Sequence, residues 1–91
     1  MIEPYRAKVI TGARKALGQL KKVLQMVEDD EYCMDIIQQV RAVEGLLSSI
    51  SAHALDSHLH TCGKRAFQSQ DEREQEKIIK ELLIAFKASK K

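Results

Sequence analysis

The sequence predicts an all-α fold, and three observations carry that prediction. Apolar residues recur every three or four positions through two long stretches, the period of a helix with one buried face. The only proline is Pro4, so nothing after it forces a break. Hydrophobic residues make up 44% of the chain while aromatics are 4% and Trp is absent, so the core is aliphatic and suits helix against helix. With 91 residues the chain is read as one domain, 1–91, small enough to gain much of its burial by association.

The first helix is expected over about residues 5–27, with Pro4 in its first turn. Ala13, Leu17, Leu20, Val23, Leu24 and Val27 supply its apolar stripe. Gly12 and Gly18 weaken it modestly, and Gly18 offers a place for another helix to approach. The acidic run Glu28 to Glu31 marks a turn, with Asp29 or Asp30 as a cap for the second helix.

The second helix is expected over about 31–62. Its stripe is Met34, Ile37, Val40, Val43, Leu47, Ile50, Ala54 and Leu55, interrupted by Gln38, Gln39, Arg41 and Glu44. Ser48, Ser49 and Ser51 are small enough for tight helix contact, and Gly63 reads as a C-terminal cap. Residues 68–76 read as a polar loop entering a solvated turn. A third helix over about 74–87 is indicated by Ile78, Ile79, Leu82, Leu83 and Phe86, with a basic, frayed tail from Lys87 to Lys91.

Net charge is only +2, but its distribution is uneven. Arg6, Lys8, Arg14, Lys15, Lys21 and Lys22 face Glu3 alone in the first 22 residues, so this end suits a polyanion. No apolar run approaches the roughly 20 residues that span a bilayer, and the N-terminus lacks the apolar core of a signal peptide. The expected compartment is the cytosol, with no membrane partner. Two cysteines there suit metal or redox chemistry better than a structural disulfide.

Cys33, His58 and Cys62 are separated by 25 and then 4 residues. A spacing of four places His58 and Cys62 on one helix face. The intervening helix holds Cys33 about 36 Å from His58, so a three-ligand site needs a second chain packed antiparallel. Two thiolates and an imidazole form a soft set that favours Cu(I), or Zn(II) with a fourth ligand, over magnesium or calcium. His60 points elsewhere on the helix, and His53 matches the face poorly. The plain alternatives are cysteines acting as small buried hydrophobes and an interface histidine. No Gly-rich loop, oxyanion element or cofactor motif accompanies the cysteines, so an enzyme is not expected.

The stretch ALGQLKKVLQMVEDDEYCMDIIQQVRAVEGLLSSISAHALDSHLHTC resembles the family of small all-helical transcriptional repressors typified by the copper sensor CsoR, which also holds nickel/cobalt, formaldehyde and persulfide sensors. The matching motifs are Gly18–Gln19, MVEDDEYC ending at Cys33, Asp35 to Ile37, Ala42–Val43 and HLHTC ending at Cys62. The resemblance implies a three-helix protomer, an antiparallel four-helix-bundle dimer and a dimer of dimers. Cys33 would then meet His58 and Cys62 of the partner subunit around Cu(I). Nickel/cobalt sensors carry a histidine where this chain has Cys62, and persulfide sensors lack one at the place of His58. By the same resemblance Tyr32 and Glu81 would form a hydrogen-bonding relay outside the ligands.

The chain departs from the family in its DNA-facing residues. The usual first helix resembles RLKRIEGQVRG, whereas this one reads GARKALGQLKK, with Gly12 at a usual arginine position and Leu17 at a usual acidic one. Arg14, Lys15 and Lys21 keep positive charge at matching places, with Arg6, Lys8 and Lys22 nearby. Glu44, Ser48 and Ser49 stand where other members carry neutral or basic residues. The leading expectation is a homotetrameric repressor that binds operator DNA when metal-free and is released by Cu(I). The alternatives are a Cu(I)-buffering protein of the same fold, or a persulfide or electrophile sensor working through Cys33 and Cys62.

Overall fold

The structure is a computed structural model that describes residues 1–89, with side chains described through Lys87. It is all-helical, and no strand occurs among the described residues. Helix α1 runs Tyr5–Glu28 and helix α2 Cys33–His58. A π-helical turn, Leu59–Gly63, continues α2 without a break into the short α3, Lys64–Gln68. Helix α4, Glu72–Ser89, comes last. The expected frayed tail is helical through Ser89, and Lys90 and Lys91 lie outside the described residues.

The acidic run is a turn, but it caps α1 rather than α2. Glu31 N–H donates to the Met26 carbonyl at 3.0 Å and Asp30 N–H to that of Val27 at 3.1 Å. Asp30 adopts φ 52°, so a non-glycine residue makes the left-handed step of a Schellman motif. Tyr32, at φ −58° and ψ 131°, occupies the N-cap position of α2 and makes no side-chain capping bond. Asp29 and Asp30 thus serve to close α1.

This turn lays α2 antiparallel on α1. Ala16 and Met26 of α1 and Val43 of α2 are buried. Near the open end of the pair Gly12 faces Ile50 so closely that an added Cβ would lie 2.9 Å from Ile50 Cγ1. Gly12 is therefore a packing residue, while Gly18, expected to admit a neighbouring helix, has nothing within 4 Å of its would-be Cβ in the protomer.

Gly63 is not a C-cap. Its φ of −64° is right-handed helical, and the rod runs on to Gln68. The reason lies one turn earlier, where Thr61 Oγ1 donates back to the Ser57 carbonyl at 2.9 Å, the kind of back-bond that loosens a regular ladder and accompanies a π turn. Gly63 is buried within the rod, where a Cβ would sit 3.3 Å from Leu59 Cδ2. The loop expected over 68–76 shrinks to Ser69–Asp71. Asp71 Oδ1 accepts the Arg73 N–H at 2.9 Å, a side-chain N-cap that starts α4 two residues earlier than periodicity alone suggests. Glu72 and Glu74 add favourable charge to its first turn.

Helix α4 folds back on the far end of the rod, burying Ile78 and Ala66. The molecule measures 58 × 27 × 13 Å. The smallest dimension is close to one helix diameter of about 10–12 Å, so α1 and α2 form a single layer. One layer cannot cover both of its faces. Leu17, Leu20, Leu24 and Val27 of α1 and Met34, Ile37, Val40 and Leu47 of α2 accordingly stay exposed, Leu24 at 59%.

Candidate metal centre and basic groove

The long rod sets the positions of the three expected ligands. Cys33 is the first residue of α2 and Cys62 lies 29 residues later, inside the π turn. At 1.5 Å per residue the two are about 43 Å apart. Both thiols are free and exposed. Among the described residues no three metal-ligating side chains gather within the protomer. The expected set is therefore split, with Tyr32 and Cys33 at the turn end and His58 and Cys62 at the far end.

The far end is a formed cleft of about 220 Å³ lined by His58, Cys62, Arg65, Glu74, Lys77, Ile78 and Glu81, with Ala66. Helix α4 delivers Glu81, whose Oε2 lies 2.5 Å from His58 Nε2. That contact holds the ring in one orientation and leaves Nδ1 to face other ligands. His60, two residues on, is exposed and turned away. Its Nδ1 bonds the Asp56 carbonyl at 2.8 Å, and its ring stacks on Tyr5 with centroids 5.4 Å apart. Chemically, the cleft brings together one imidazole and one thiol, donor types that suit a soft metal.

The basic residues divide. Lys8, Lys15 and Lys22 recur every seven residues and so lie along one line of α1. Lys8 and Lys15 line a groove between α1 and α2 together with Thr11, Gly12, Ser49, Ile50 and His53. Arg14 and Lys21 each precede one of those lysines and are turned about 100° from the line. Arg6 makes a loose ion pair with Glu3 at 3.8 Å, both largely exposed. Sequence reasoning groups the six cations together; the helix separates them.

Residues 5–88 match the family model described as metal-sensitive transcriptional repressor. The chain belongs to this family. The family is one of transcriptional repressors rather than enzymes. Among curated relatives, the copper-sensing transcriptional repressor CsoR of Bacillus subtilis is 40% identical over 70 residues, 77% of this chain and 66% of its own length. The copper-sensing transcriptional repressor RicR of Mycobacterium tuberculosis is 40% identical over 53 residues, 58% of this chain and 55% of its own. A Mycobacterium ulcerans CsoR is 37% identical over 49 residues, 54% of this chain and 42% of its own. The matched stretches thus span less than two thirds of these relatives. No solved structure matches.

Within the family frame, sequence reasoning misses the part played by two residues. His53, a poor match to the ligand face, lies in the lysine groove with Nε2 3.5 Å from Ser49 Oγ. Its i+4 spacing from Ser49 is the available signal. Gly12, at a usual arginine position, is fixed by Ile50, and only the structure shows that contact.

Proposed function

We propose that this chain is a cytoplasmic Cu(I)-responsive transcriptional repressor, whose metal-free tetramer, a dimer of antiparallel four-helix dimers, binds operator DNA and is released on Cu(I) coordination. The observation that carries the reading is the split ligand set, two donors in a cleft at one end of a rod and a third about 43 Å away at the other. An antiparallel partner brings the missing thiol to each cleft, and the exposed leucine and isoleucine rows supply the surface for that partner. The names of the curated relatives favour copper as the metal.

Cys33 from one subunit, with His58 and Cys62 of the partner subunit, would hold the ion through two thiolates and an imidazole. Bound Cu(I) supplies a cross-link between subunits at that point. Glu81 fixes the imidazole through Nε2 and ties the same cleft to α4, so any adjustment of the ring is passed to that helix. Tyr32 sits beside Cys33 and would come near the His58–Glu81 pair across the dimer. The lysine line of α1 would follow DNA phosphates, and a tetramer multiplies each contact by four.

The test is equilibrium binding of the apo protein to its own upstream DNA, by fluorescence anisotropy at fixed salt, with and without one Cu(I) per subunit under anaerobic conditions. Specific binding that collapses with Cu(I) is expected. Stoichiometric Cu(I) binding without specific DNA binding would instead support a copper-buffering protein, a reading favoured by Ser49 in the groove and by Gly12, where packing against Ile50 excludes the usual arginine. Cys33→Ala should abolish tight Cu(I) binding while circular dichroism still reports a helical protein. Native affinity in that variant would remove Cys33 from the site.

A further inference from the structure

Four residues of the long rod share an unusual spacing. Cys33, Glu44, Ser51 and Cys62 are separated by 11, 7 and 11 residues. Eleven residues are close to three helical turns and seven close to two, so Cys33, Glu44 and Ser51 fall near one line along α2, and Cys62 follows eleven residues on, within the π turn. All four are exposed in the protomer, and Val40 and Leu47 flank Glu44 on the same exposed side. The spacing is palindromic about a point between Leu47 and Ser48. A two-fold axis through that point sets Cys33 opposite Cys62 of the partner subunit, and by the same operation sets Glu44 opposite Ser51 of the partner subunit.

We propose that Glu44 and Ser51 form a reciprocal polar contact across the dimer axis, and that this contact fixes the register that faces Cys33 with Cys62 of the partner subunit. The inference rests on the antiparallel dimer proposed above and adds to it the residues that choose its alignment.

Ile37, Val40, Leu47 and Leu55 give the seam its apolar adhesion, but aliphatic contacts alone tolerate sliding by a heptad. A carboxylate among them is unfavourable unless a donor reaches it. The Ser51 hydroxyl is such a donor, and the symmetry provides two copies of the bond. Sliding by one heptad in one direction would bring the two Glu44 carboxylates together. Sliding in the other would pair the two Ser51 hydroxyls and carry Cys33 opposite Ser69, beyond the end of α3. This is the role a single buried polar residue has in two-stranded coils, where it selects register at some expense of stability.

The experiment uses the full chain carrying Cys33→Ser and Cys62→Ser, into which Val40→Cys and Leu55→Cys, a pair that is related by the same two-fold axis and leaves Glu44 and Ser51 in place, are introduced singly and together. Oxidation is monitored by non-reducing electrophoresis, and association by sedimentation velocity. The double variant is expected to give near-complete covalent dimer, and each single variant little, since its two thiols are offset by fifteen residues, about 22 Å, beyond disulfide reach. A dimer in which the double variant does not cross-link, or in which either single variant cross-links as well, overturns the register while leaving the dimer standing. A monomer in every variant and in the parent would overturn the dimer itself.

A second readout keeps the native cysteines. Ser51→Asp sets two carboxylates face to face and should weaken dimerisation at least about tenfold, with recovery on adding Glu44→Lys. An unchanged dissociation constant in Ser51→Asp, or no recovery in the pair, refutes the contact.

Discussion

Gly12 shows how one atom decides between two readings of a position. As a departure from an arginine-rich helix it looks like a lost DNA contact, and restoring arginine there looks like a gain. The structure puts Ile50 Cγ1 2.9 Å from where a Cβ would stand, so any side chain there forces Ile50 or the helix pair to shift. Overpacking of this kind costs about 1–3 kcal/mol, against which the better helix propensity of Ala returns at most about 1. Gly12→Ala should therefore lower the urea midpoint with little change in slope, and Gly12→Arg should lower it further without strengthening DNA binding. Gly18→Ala, by contrast, meets nothing in the protomer and should raise stability by about 0.5–1 kcal/mol. A loss there would mean that another subunit packs against that face.

At the scale of elements, α4 is the piece whose role depends on one contact with the cleft. Glu81 is held one turn beyond buried Ile78, and its carboxylate reaches His58 at 2.5 Å. Glu81→Gln should keep the fold but weaken Cu(I) binding by about 10–100-fold, as loss of a partner to a ligating imidazole does elsewhere. Competition with a Cu(I) chelator measures this, and unaltered affinity would show that the ring needs no such support.

The same elements show how far the sequence alone reaches. The stripes of α1 and α2 come from a 3.6-residue period that needs no tertiary information. The 29-residue interval from Cys33 to Cys62, read as continuous helix, sets the two cysteines far apart within one protomer. Gly63 misleads because a glycine after a helical pattern is most often a left-handed cap, whereas here it relieves crowding beside Leu59 inside a widened turn. Residues 68–76 read as a loop because they carry no apolar period. The Asp71 cap, a local polar signal, starts the helix instead. The nearness of Glu81 to His58 is indicated only by family resemblance, since it depends on how α4 folds back. Which lysines share a line is legible in their seven-residue spacing, but not the groove that two of them line with His53.

The whole molecule is a plate 13 Å thick with five buried apolar residues among those described, Ala16, Met26, Val43, Ala66 and Ile78. So thin a core leaves the exposed rows as the largest unused source of burial. Each leucine transferred from water is worth about 1.5–3 kcal/mol, and two-fold symmetry counts it twice. Leu20→Glu with Leu47→Glu should accordingly weaken association at least about hundredfold in sedimentation velocity. Unimpaired association would place the subunit contact on another face. The lysine line gives a separate whole-molecule expectation. Lys8→Ala, Lys15→Ala and Lys22→Ala combined should flatten the salt dependence of DNA binding, and an unchanged slope would remove that face from the contact.

The thinness of the plate also bears on how such a protein would behave as its amount changes. When folding and pairing are one event, dilution acts as a denaturant, and each tenfold drop in protein concentration removes about 1.4 kcal/mol per dimer. Below some cellular level a newly made chain would find protease sooner than a partner. Abundance itself would then set a floor under the response.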